Sequence, residues 1–203
     1  MYQMKNKIFS AMLVICCLAL LMNQTMAYFT RSKIVDNVFT TSEIDITLNE
    51  KRNVIGEDGE HKQVDFADLE FNNVMPGQTI SKIVTVTNKK ESSDAYIRAK
   101  VEKHFMKPET PSESDLSTDV IEMDFNQENW TFKDGWYYYN SVVKSGETTA
   151  PLFENVIFDG KEMGNEYKNT NCNISIVAQA VQVRNNETNV LLAKGWPALA
   201  IKK

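Results

Sequence analysis

The sequence predicts an all-β fold: an antiparallel, jelly-roll-like β-sandwich with short helices in its loops, preceded by an N-terminal signal helix. Three observations predict it. Apolar residues alternate with polar ones over short runs, which is the period of a half-buried strand. Pairs such as Pro76-Gly77, Asp134-Gly135, Ser145-Gly146 and Asp159-Gly160 divide those runs at turns. No rhythm of strand, long helix and strand runs through the chain, so a parallel α/β sheet is not indicated and a sandwich is.

The first element is the exception. Lys5 and Lys7 precede the apolar run 8–22, which gives way to polar Asn23, Gln24 and Thr25 before Met26 and Ala27. This is the three-part layout of a secretory signal peptide. As a membrane anchor the run is short of the ~20 residues that cross a bilayer. Small residues at the last and third-last positions, Ala27 and Thr25, place the cut between Ala27 and Tyr28. The expected organisation is therefore a signal peptide, 1–27, and one β-sandwich domain, 28–203, large enough to bury a substantial core.

After cleavage 20 basic side chains face 27 acidic ones, a net charge of −7. An acidic surface argues against nucleic acid or an anionic membrane as partner, so membrane contact is expected only through the signal peptide before cleavage. Cys16 and Cys17 lie inside the apolar run and leave with it. Cys172 then stands alone, which excludes an internal disulfide. A lone cysteine beside a strand is read as buried packing, with a reactive thiol or an intermolecular cross-link as the alternatives.

Within 28–203, Ile44, Ile46 and Leu48 mark a strand by alternation, as do Ala95, Ile97, Ala99 and Val101. Pro76-Gly77 suits the two central positions of a type II turn and predicts a strand beginning just after it, over 80–87. Further strands are expected over 136–143 and 152–158. The longest β-like run, 173–183, shifts its apolar parity from Ile174 and Ile176 to Val177, Val181 and Val183, which requires either a bulge near Val177 or burial of both faces. Short helical turns are expected over 114–123 and 161–169. Segments 50–64 and 107–117 read as charged or Pro-containing surface loops.

Residues able to carry chemistry are few. The chain has two histidines, His61 in the first of those loops and His104 near a strand end, without the His-Glu-x-x-His spacing of a zinc-protease helix. No phosphate-binding Gly-rich loop is present. The acidic stretch Glu57, Asp58, Glu60, Asp65, Asp68 and Glu70 allows a calcium site to be considered, but it lacks the Asp-x-Asp-x-Asn-Gly pattern, and a solvated acidic face is the plainer reading. No catalytic residue, metal ligand or cofactor is expected. The aromatic group Trp130, Phe132, Trp136, Tyr137, Tyr138 and Tyr139 is either core on one face or a platform for a glycan or partner, since consecutive strand residues point to opposite sides.

Three motifs then stand in order: Thr25-Met26-Ala27-Tyr28-Phe29-Thr30 at the signal junction; Met75-Pro76-Gly77-Gln78 leading through Val84-Thr85-Val86-Thr87-Asn88 to Asp94-Ala95-Tyr96-Ile97-Arg98; and 134–140, Asp-Gly-Trp-Tyr-Tyr-Tyr-Asn, followed by Lys144-Ser145-Gly146-Glu147. Together they resemble the TasA and camelysin family of exported bacterial proteins, in its alternate signal-mediated branch, over nearly the whole chain. The resemblance implies export from a Gram-positive-type bacterium, removal of the signal by a SipW-type signal peptidase, and a jelly-roll sandwich. For the family's matrix members it implies a subunit of biofilm fibres outside the cell. It also carries a metallopeptidase label that no pair of ligand-spaced histidines supports here.

A fibre mechanism can be read from the residues themselves. Segment 28–39 is β-competent, carries Phe29, Ile34, Val35, Val38 and Phe39, and gains its free end only when the signal is cut. It is a candidate donor strand for a neighbour's sheet edge, or the first strand of its own sheet. The expected role is thus a non-enzymatic, secreted or cell-surface fibre subunit that self-associates. The alternatives are a secreted metallopeptidase and a soluble surface-binding module.

Overall fold

A computed structural model describes residues 37–39, 44–56, 58–66, 75–107, 110–113, 115–168 and 170–198. The signal segment, the bond between Ala27 and Tyr28, and the donor-segment residues Phe29, Ile34 and Val35 lie outside them. So do Glu57, Asp68 and Glu70.

The described residues fold as β-strands with two short 3-10 turns. The strands are β1 (Asn37–Phe39), β2 (Ile46–Ile55), β3 (His61–Asp65), β4 (Thr79–Ser81), β5 (Ile83–Asn88), β6 (Ala95–Lys107), β7 (Thr110–Glu113), β8 (Ile121–Met123), β9 (Trp130–Lys133), β10 (Trp136–Tyr139), β11 (Asn155–Phe158) and β12 (Asn171–Gln182). The first layer has the order β1-β12-β6-β10-β9, with β7 also on β6. The second consists of the ladders β3-β2-β5 and β4-β11-β8. Backbone bonds join those two ladders, because the segment leading into β11 runs beside β5: Thr149 N–H donates to Val86 O (2.9 Å), Leu152 N–H to Val84 O (2.8 Å) and Val84 N–H to Phe153 O (3.1 Å). Pairing is antiparallel except between β1 and β12, which are parallel. Between the layers, Ile44, Ile46, Leu48, Val84 and Val86 meet Ile97, Ala99, Ile174, Ile176, Ala178 and Ala180 in one apolar cluster. This is the antiparallel, sandwich-like all-β architecture that the alternating runs predict.

The type II turn is present as expected. Gly77 has φ +80°, and Gln78 N–H donates to Met75 O across it (3.1 Å). The strand that follows is broken at Lys82, whose ammonium is buried, 2.8 Å from Glu50 and 4.1 Å above the Phe66 ring. For β12 the structure selects between the two sequence readings. Its register with β6 runs without a shift from Asn171–Met106 to Gln182–Ala95, so there is no bulge. Instead both faces are buried, with Ile174, Ile176, Ala178 and Ala180 in the inter-layer core and Val177 and Val181 in a second cluster on the outer face.

Three local expectations are corrected. Segment 50–64 is not a loop: β2 continues to Ile55 and pairs with β3, Lys51 opposite Asp65 and Ile55 opposite His61. Every residue of β3 is exposed, so neither face of this hairpin's far end has an apolar periodicity to reveal it. Segment 107–117 likewise contains β7, which among the described residues pairs with β6 alone, an edge position at which Pro111 is tolerated. The turn expected over 114–123 ends in β8, drawn into the sheet by Ile121 opposite Phe158, both buried. The short helical turn expected over 161–169 is present as the 3-10 turn Asn165–Tyr167, and a second 3-10 turn spans Val190–Leu192.

Candidate assembly site

The first sheet has two lateral edges. At one, β1 places Val38 opposite Ala178 and Phe39 opposite Gln179, so the end of the candidate donor segment is a strand of its own sheet. At the other, β9 is the terminal strand among the described residues.

The β9 edge is built by a two-residue hairpin. Asp134 (φ 51°) and Gly135 (φ 79°) both adopt left-handed backbone, as a type I′ turn requires, and set Lys133 opposite Trp136. Flanking pairs of such a turn are hydrogen-bonded, and bonded pairs alternate along an antiparallel ladder. The bond from Asn140 N–H to Asn129 O (2.9 Å) keeps that alternation. Phe132, opposite Tyr137, is therefore a non-bonded pair member whose own N–H and C=O point away from the sheet. Trp130 N–H, the next outward donor, is taken by Asn126 O (3.0 Å).

The aromatic residues divide as strand alternation requires. Trp130 is buried, its indole N–H donating to Ala150 O (3.1 Å) and its ring 5.0 Å from Tyr139. Tyr137 stacks on Phe125 at 4.2 Å, and Phe125 meets buried Phe153 edge-on at 5.6 Å. Burial raises the Tyr137 hydroxyl pKa. Phe132 rests on Tyr137 with a centroid separation of 4.7 Å but remains 61% exposed, so the ladder from the core ends in an open aromatic side chain.

Trp136 and Tyr138 face the opposite side, where the C-terminal segment covers the sheet. The Arg98 guanidinium lies between the Trp136 and Trp196 rings, 4.0 and 4.4 Å from their centroids. Its Nε and Nη2 donate to Gln179 Oε1 at 2.9 and 2.7 Å, and Nη1 to the Tyr138 hydroxyl at 3.2 Å. Gln179 Nε2 in turn donates to Pro197 O (3.0 Å). Desolvation lowers the Arg98 pKa, with the Tyr138 bond acting in the other direction. Sequence reasoning missed this cluster, because Tyr96, Arg98 and Lys100 read as a solvent face; the signal was the double-sided burial of 173–183.

The other chemistry-bearing residues are dispersed. His61 opens β3 rather than lying in a loop, and His104 is within β6 opposite Asn173. Asp58 pairs with Lys62. Among the described residues no group of three or more His, Cys, Asp and Glu side chains is placed to hold a metal ion. Cys172 is buried at 2% exposure, and its thiol pKa is pushed up to about 12 by desolvation, against a smaller opposing effect of Lys103. Raising the pKa stabilises the neutral thiol, so the nucleophilic thiolate is scarce until pH approaches that value. The native protein is expected to resist a soluble disulfide reagent between pH 7 and 9 and to react stoichiometrically once unfolded. Fast native labelling, rising with pH around an ordinary thiol pKa, would contradict the burial.

No family model, curated protein or solved structure matches this chain.

Proposed function

We propose that this chain is an exported structural protein that assembles outside the cell into fibres of a matrix or surface layer by adding strands from one copy to the sheet of the next. The observation that carries the reading is the first sheet itself, which has the end of the candidate donor segment at one edge and outward-directed backbone groups at the other. Donation in which one copy's tail meets another copy's sheet is heterologous, and such contacts build an open filament wherever the rotation between copies does not close a ring. The motif resemblance to fibre-forming exported proteins, the signal-like residues 1–27 and the acidic balance support the same reading. In it the partners are a SipW-type signal peptidase during export and further copies of this chain afterwards. No cofactor or catalytic residue is involved.

Strand addition gains main-chain hydrogen bonds of about 0.5–1.5 kcal/mol each and buries apolar side chains at roughly 25 cal/mol per Å². An eight-residue addition can thereby offset the several kcal/mol lost in association. The chain beginning at Tyr28 is expected to form filaments visible by negative-stain microscopy, with light scattering that rises with time. Deleting residues 28–35 should leave a folded monomer that does not extend. Filaments growing at the parental rate from the deletion variant, or a full-length chain monomeric at high concentration, would exclude donation by this segment. Stoichiometric zinc with chelator-sensitive proteolysis would instead favour a metallopeptidase.

A further inference from the structure

The apolar cluster on the outer face of the first sheet is bordered by an open cavity of about 410 Å³, within the ~300–1,000 Å³ range of small-ligand sites. Its floor is apolar: Tyr96, Val142, Val190 and Leu191 belong to that cluster or pack against it. Its polar lining comes from Asn140, Thr188 and Asn189. The chain holds both carboxamides in one orientation. Asn140 Oδ1 accepts from the Thr131 hydroxyl (2.7 Å), and its Nδ2 donates to Glu128 O (3.0 Å). Asn189 Oδ1 accepts from Leu191 N–H (2.9 Å), capping the Val190–Leu192 turn. Each amide therefore keeps at least one N–H for a ligand. Among the described residues, neither Asn189 Nδ2 nor the Thr188 hydroxyl has a hydrogen-bond partner within the chain. The Tyr96 hydroxyl, in contrast, is committed to Glu187 O (2.9 Å).

We infer that this cavity binds a neutral glycan through Asn140, Thr188 and Asn189, with the sugar ring seated on the apolar floor. Three properties of the lining select that class. No lining side chain carries a charge, and the neighbouring Glu187 carboxylate is already engaged by the Lys194 ammonium at 2.7 Å. Nothing here repays the desolvation of an ionised ligand. A wholly apolar ligand is disfavoured for the opposite reason, since it would strip water from the Thr188 hydroxyl and the Asn189 N–H groups and return no hydrogen bond. A pyranose satisfies both halves of the lining. Its C–H groups cover Val142, Val190 and Leu191, while its hydroxyls, each a donor and an acceptor, pair with the amides and the threonine. Because backbone and side-chain bonds already fix the two amides, little ordering is left for binding to offset. The site uses neither lateral edge of the sheet, so it is independent of strand addition. In a fibre, one weak site repeated in every copy would hold a polysaccharide chain by avidity.

The test is saturation-transfer NMR with the chain beginning at Tyr28, titrated with a β-linked glucose tetrasaccharide, an N-acetylglucosamine tetrasaccharide and, as the charged control, a galacturonate tetrasaccharide. The signal is read on the sugar and is therefore available from monomers and fibres alike, which separates failure of this site from failure of assembly. Transfer is expected to the ring C–H protons of at least one neutral probe, and the stronger of the two identifies the glycan as a hexose or an N-acetylhexosamine chain. Thr188→Val removes the hydroxyl at nearly constant shape. Asn189→Ser removes the Nδ2 donors while keeping an oxygen able to cap the turn. Each variant is expected to keep the parental circular dichroism and to bind the neutral probe about 2- to 10-fold more weakly, the loss of one neutral hydrogen bond. Parental affinity in both variants would place the glycan elsewhere and overturn the assignment. Absence of transfer from both neutral probes at about 10 mM, or tighter binding of the galacturonate probe, would overturn it equally.

Discussion

Phe153→Ala is expected to lower the unfolding free energy by about 3–5 kcal/mol, the range for deleting a large aromatic side chain from a close-packed core. Phe153 is fully buried, and its ring is the inner end of the stack that runs through Phe125 and Tyr137. Its carbonyl also accepts from Val84 N–H, one of the bonds that unite the two ladders of the second layer. The cavity would therefore lie where the layer is joined. Against a typical stability of about 5–15 kcal/mol this is a large fraction. The measurement is the midpoint of urea unfolding at unchanged slope. Phe132→Ala is the control: its ring belongs to the same stack but is mostly exposed, so a cost below about 1 kcal/mol is expected. Equal losses at the two positions would mean that the stack is not organised from the core outward.

Much of this arrangement was legible before the structure, and the legible parts share a cause. Runs such as 44–48 have one buried and one less buried face, and period two reports that asymmetry directly. The Pro76-Gly77 turn was legible because only glycine holds φ +80° at no steric cost, and the pair admits few turn types. The β2–β3 hairpin was not. Its β3 strand is exposed at every residue, and a strand without a buried face has the composition of a loop. The helical expectation over 114–123 failed for the opposite reason, since Val120 and Ile121 are held by sheet and core contacts that local spacing does not describe.

The candidate site was only half legible. The aromatic run 130–139 could be named, and strand alternation required its residues to divide between two faces. Which aromatic residue would be exposed depends on strand order. That β9 is terminal, and that Phe132 lies beyond Tyr137, follows from pairing between distant segments. The same holds for β1, whose partner β12 is far away in sequence. Edges are properties of the assembled sheet, so a function that resides in edges is the part a linear pattern conveys least.

Replacement of Arg98 by methionine is expected to cost about 2–4 kcal/mol and to loosen the C-terminal segment selectively. Methionine keeps an unbranched apolar stem but removes the charge and every donor. Gln179 has no exposed surface, so its Oε1 would lose both guanidinium bonds with no water to replace them, a penalty of about 1–3 kcal/mol. Loss of the cation from between Trp136 and Trp196 adds about 0.5–2 kcal/mol. The effect should concentrate in 190–197 because Trp196 rests on Arg98 and Tyr138, and the Gln179 amide that holds Pro197 O is itself oriented by Arg98. Amide exchange and limited proteolysis should therefore report that segment opening before the rest of the sandwich. Arg98→Lys, which restores a charge but not the planar fork, should recover part of the stability and little of the protection. In a double-mutant cycle with Gln179→Leu, the coupling should exceed about 1 kcal/mol, because the two side chains share their hydrogen bonds. Parental stability and parental protection of 190–197 in Arg98→Met would show that the apolar contacts of Val190 and Ala193 hold the segment without the cluster.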